Sequence, residues 1–174
     1  MIEATSNSSG LTGSWFERLN GAWHRRALSL FMIIVFAHWA EHILQAYQVF
    51  ILHWARPTAG GVLGLWFPLL TTSEVLHYAY NLSLLLGLIL LRPGFSGRAR
   101  RWWTVAMAIQ GWHFFEHLLL QVQWLTGIYL FGATQQTSIL QLWVPRIELH
   151  FLYNTLVFAP MVLGLFLHRR AANS

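Results

Sequence analysis

The chain has 174 residues and a formal net charge of +5, with 56% hydrophobic, 16% aromatic and only 10% charged residues. One domain's worth of chain this apolar is far from an ordinary soluble domain. It contains no cysteine, which excludes disulfides, thiolate ligands and a cysteine nucleophile; its 11 cations are all arginine and flank apolar stretches instead of forming a basic stripe, which argues against a nucleic-acid partner.

Residues 1–26 read as a polar cytosolic tail ending in an interfacial segment with Trp15, Phe16 and Trp23, without the apolar core of a cleaved signal peptide. Four apolar stretches follow at 27–55, 69–91, 102–131 and 146–168, each long enough for the roughly 20 residues that cross a bilayer. Arg56-Pro57 with Gly60-Gly61, Arg92-Pro93-Gly94 and the polar Gly132–Ser138 segment break the chain between them. Residues 27–91 and 102–168 form two units, joined by a basic loop at 92–101 and followed by a short tail at 169–174. Arg25, Arg26, Arg92, Arg98, Arg100, Arg101, Arg169 and Arg170 lie on one side, and only Arg56 and Arg146 on the other. The positive-inside rule then puts both termini in the cytosol, with a bacterial inner membrane as the expected location and the lipid bilayer as partner. The expected fold is all-α and integral to the membrane, a four-transmembrane-helix bundle built from two parallel-topology helical-hairpin repeats.

The two units carry the same chemistry. His38-Trp39-Ala40-Glu41-His42 returns 75 positions on as His113-Phe114-Phe115-Glu116-His117, and His77-Tyr78-Ala79-Tyr80-Asn81 answers His150-Phe151-Leu152-Tyr153-Asn154. At about 1.5 Å per residue, His38 and His42 stand roughly 18 and 24 Å above Arg26, and His113 and His117 equally far above Arg101. His77 stands about 22 Å from Arg92 and His150 about 28 Å from Arg169. All six histidines therefore fall in one slab. The i, i+3, i+4, i+7 spacing of His38, Glu41, His42 and Gln45 makes one helical stripe, and Glu74, His77, Tyr80 and Asn81 make another. Lipid does not solvate such stripes, so they must face one another.

Six imidazoles and two carboxylates make a donor set for two metal ions, with His38, His42, His77, His113, His117 and His150 as ligands and Glu41 and Glu116 as ligands, bridges or catalytic groups. A carboxylate at mid-bilayer costs roughly 2.5–3.5 kcal/mol, and a metal site worth about 10 kcal/mol offsets that. Iron is the favoured ion, zinc or manganese the alternatives, and haem the weaker reading. Gln45, Glu74, Tyr80, Asn81, Tyr153 and Asn154 are expected to support the ligands from behind. The competing reading of each histidine alone is a helix–helix hydrogen bonder.

The i, i+4 histidine pairs resemble those of histidine-box membrane hydroxylases and desaturases, although the H-x-x-H-H runs of those boxes are absent here and the twofold repeat is not theirs. The resemblance implies a di-iron oxidoreductase acting on a lipid-soluble substrate, which would need a redox partner protein. Two alternatives stand beside it: a divalent-metal or proton transporter or channel using the layer as a transit site, and a b-type cytochrome with paired histidines on haem.

Overall fold

The computed structural model describes residues 14–172, and among them the chain is helical without a strand. The expected tail therefore lies outside the described residues at 1–13, as do 173–174. Helix α1 (Trp15–Asn20) opens with a capping box, in which the Glu17 N–H donates to the Ser14 hydroxyl and the Ser14 N–H to the Glu17 carboxylate. Its last residue fastens it down: Asn20 donates to the Leu90 carbonyl at 2.9 Å and accepts from the Gly94 N–H at 3.0 Å.

Helix α2 (His24–Phe50) is followed by two short helices, α3 (Leu63–Trp66) and α4 (Leu69–Thr72), and then by α5 (Glu74–Leu91), α6 (Gly97–Thr126) and α7 (Arg146–Ala172). These bounds shift three of the expected stretches. Residues 51–55 leave α2, and His53 takes a left-handed φ of 55°. The second stretch is split at Ser73, whose extended backbone ends α4 and whose hydroxyl accepts from the Leu76 N–H to cap α5. Gly127, at φ 67°, closes α6 five residues or so early, because a left-handed residue cannot continue the helix.

Three helices are long and apolar enough to cross a membrane: α2, α5 with its following turn, and α7. Four were expected. The 30-residue α6 is long enough but not apolar enough, since it starts with Arg98, Arg100 and Arg101 and turns Gln110, His113, Glu116, His117, Gln121 and Gln123 inward.

The helices pack α6 on α7 most extensively, then α5 on α6 and α2 on α7, while α2 and α5 touch only briefly. At the end nearest the termini they close on an apolar core of Leu28, Leu84, Leu88, Phe95, Trp103 and Met161. The Trp103 indole N–H donates to the Leu88 carbonyl at 2.9 Å, so the ring is buried with its polar edge satisfied. Above this core the interior turns polar, while Ile33, Phe36, Ile43, Leu86, Val105 and Phe166 are exposed outside.

Candidate metal centre

The change from apolar to polar interior begins at Gln110, which is fully buried and donates to the Asn81 side chain at 2.9 Å. One turn further along α6 lies His113. The six histidines come together here, and several of their contacts recur in both halves of the chain.

On α2 the His42 Nε2 stands 3.0 Å from His38 Nε2, and on α6 the His117 Nε2 stands 3.2 Å from His113 Nε2. On α5 the His77 Nδ1 donates to the Ser73 carbonyl at 2.9 Å, and on α7 the His150 Nδ1 donates to the Arg146 carbonyl at 2.7 Å. A carbonyl only accepts, so Nδ1 carries the proton and Nε2 keeps its lone pair for the interior. His42 is set the same way, its Nδ1 lying 2.9 Å from the Gln45 side-chain oxygen. Asn81 and Asn154 each donate to the carbonyl four residues back, that of His77 and of His150.

The rings also cross between units. His77 stacks parallel to His117 with centroids 6.0 Å apart, and His42 faces His150 at 5.7 Å. Tyr80 stacks on His38 at 3.8 Å, and Tyr153 on His113 at 4.4 Å. Both tyrosines therefore orient the first histidine of an i, i+4 pair by ring contact.

His113, His117 and His150 form a group able to hold a metal ion, each offering one ligand atom within 4.8 Å of the others, all buried. Two nitrogens bound to one ion at about 2.0–2.1 Å stand about 2.9–3.4 Å apart, and both Nε2 pairs fall in that range. The His150 Nε2 is buried without a partner. A buried acceptor left unpaired is costly, and a cation satisfies it.

Glu41 and Glu116 are held by loop donors. Glu41 Oε2 accepts from the backbone N–H groups of Val62 at 2.8 Å and Leu63 at 3.1 Å, holding the start of α3. Glu116 accepts from the Ser138 hydroxyl at 2.8 Å and the Leu140 N–H at 2.9 Å, holding the helical turn at 140–142. Each carboxylate thus pins the loop that follows its own helix, and neither is in the metal-holding group found among the described residues. Gly61 is needed for this approach: it has a φ of 71°, and a Cβ there would lie 2.2 Å from Glu41 Oε2.

Gln48 and Gln123 are two further loop anchors, which the motif reading did not single out. Gln48 exchanges two hydrogen bonds with Gly61, at 2.8 and 3.1 Å. Gln123 donates to the Thr137 carbonyl at 2.8 Å and accepts from the Leu130 N–H at 3.0 Å. The signal was present, since these glutamines are also 75 positions apart.

Glu74 makes no hydrogen bond to a histidine among the described residues. Its buried carboxylate pairs with Arg146, while Glu148 pairs with Arg56, so each unit's outer arginine is matched by the other unit's glutamate. Arg56, Glu74 and Arg146 line a cavity of about 760 Å³ between the loops that reaches His42, His77 and His150. The apolar core lies beneath. No family model matches this chain, and neither a curated protein nor a solved structure is similar to it.

Proposed function

We propose that this chain is a four-helix integral membrane protein made of two helical-hairpin repeats, and that its histidine layer holds transition-metal ions for oxidation–reduction of a lipid-soluble molecule. The observation that carries the metal reading is the buried trio His113, His117 and His150, with the partnerless His150 Nε2 at its centre. His38, His42 and His77 are the second seat, related to the first by the repeat. With both glutamates engaged by loop donors, the ligand set is imidazole nitrogen, which suits iron, copper or zinc. Iron or copper bound there would supply one-electron chemistry, and a separate redox partner protein would deliver the electrons.

The inverted distribution of side chains supports the membrane reading. Apolar rings and branched chains cover the outside, a polar layer lies inside above the apolar core, and three helices have the length and apolarity to span. By the arginine distribution, α6 is the fourth span and both termini face the cytosol, in a bacterial inner membrane.

Passage across the membrane fits less well, because Leu88, Trp103 and Met161 are fully buried below the layer, which the cavity between the loops reaches from the other side. Haem held between His38 and His113, or between His42 and His117, fits less well too, because the Nε2 atoms of His38 and His42, and of His113 and His117, stand 3.0 and 3.2 Å apart along their own helices instead of being separated by a porphyrin.

The test is the elemental content and absorbance spectrum of the protein purified in mild detergent. One or two equivalents of iron or copper per chain without a Soret band is the expected result. A Soret band would assign the cytochrome, and absence of any bound metal would overturn the proposal.

A further inference from the structure

The two halves of the layer are not equally enclosed. His113, His150 and Tyr153 are 2%, 6% and 5% exposed, whereas their counterparts His38, His77 and Tyr80 are half-buried. Two positions account for the difference. Ala37 stands where the second unit has the bulky Trp112, and Leu76 is 44% exposed where its counterpart Leu149 is 2% exposed. Where α6 and α7 close on each other, α2 and α5 part, and a cavity of about 230 Å³ occupies the gap. His38, His77 and Tyr80 form its inner wall, and its rim includes Ala37, Leu63, Leu70 and Leu76, all exposed on the outer face.

We infer that this one-sided cavity binds the neutral, oxygen-bearing head of a membrane-soluble molecule, whose apolar tail runs out between α2 and α5 into the lipid. The inference rests on the membrane reading above and names the substrate class of the same site. Size favours a head group: pockets that enclose a whole drug-sized ligand measure roughly 300–1,000 Å³. Polarity favours an oxygen acceptor, since Tyr80 lines the cavity and its hydroxyl, buried just behind, has no partner. Charge excludes an anionic head. Among the described residues that line this cavity there is no arginine, and the Glu41 carboxylate stands in its wall. Arg56 and Arg146 line the cavity between the loops. Duplication has thus left one half of the layer tightly packed around a metal-holding trio and opened the other half sideways.

The experiment is photolabelling in phosphatidylcholine vesicles with a long-chain methyl ketone bearing a diazirine beside the carbonyl. The fatty acid of equal length, with the diazirine at the same place, is the comparison. Ketone adducts are expected on the α2 and α5 peptides around Ala37 and Leu76, about tenfold above those around Trp112 and Leu149, and the fatty acid labels neither preferentially. Ala37→Trp gives the first unit the plug of the second and lowers labelling to the level of the closed face. Tyr80→Phe keeps the shape, removes the donor and weakens ketone labelling. Equal labelling of both faces, or labelling unchanged in both variants, overturns the inference. The same measurement on metal-free His117→Ala protein separates the two claims: face-selective adducts without metal leave this cavity standing if the metal reading fails, and bound metal with unselective adducts removes the cavity alone.

Discussion

Glu41 and Glu116 illustrate how much one residue's role depends on what reaches it from elsewhere in the chain. Both lie within the histidine signature and both accept from loop donors, Glu41 through Oε2 at 62–63 and Glu116 through both oxygens at 138–140. Hydrogen bonds to a charged acceptor are worth about 1.5–3 kcal/mol when the acceptor is removed. Glu116→Ala should therefore lower stability by about that amount and speed amide hydrogen exchange at Leu140. Glu116→Gln, which still accepts, should retain its metal; loss of metal in that variant would make the carboxylate a ligand after all. The histidine cluster was legible in the sequence, because apolar helices make histidines conspicuous. The partners of the carboxylates were not, because Val62, Leu63 and Leu140 act through backbone N–H groups that leave no motif. Gln48 and Gln123 could have been found by following the 75-residue period outward from the histidines.

Among the elements, the long apolar runs located the four principal helices, but their ends were set by local chemistry that hydropathy does not report. Ser73 divides a continuous apolar stretch and caps α5, so Ser73→Ala should cost about 1 kcal/mol, read as a lower thermal midpoint in detergent. The α5 and α7 starts are joined by the Glu74–Arg146 pair, whose carboxylate side chain is 2% exposed against 35% for the arginine. Arg146→Gln leaves that buried carboxylate unpaired and should destabilise by about 3 kcal/mol, while adding Glu74→Gln should recover most of the loss. If the double variant is no better than the single one, the pair is not what joins the helices. Helix α6 departs furthest from its expected character because it supplies more inward polar side chains than any other helix, and these lower the apolarity that identifies a span.

For the whole molecule, Arg56 and Arg146 are each paired with a glutamate, which leaves the other arginines concentrated at the end of the termini and of the 92–101 segment in the proposed topology. The chain has no cysteine, which makes single cysteines clean reporters of sidedness. With the proposed topology, Arg98→Cys and Ala171→Cys should react with a membrane-impermeant maleimide only from the cytosolic face, and Thr58→Cys and Gln135→Cys only from the opposite face. Labelling of Arg98→Cys and Thr58→Cys from the same side would remove α5 as a span. Both units meet at the histidine layer, so the central claim is best tested there. X-ray absorption at the edge of the bound metal, measured on wild-type and His117→Ala protein, should give a shell of three or more nitrogen donors at about 2.0–2.1 Å in the first and a depleted or empty site in the second. An oxygen-dominated shell, or metal bound unchanged after His117→Ala, would contradict the account.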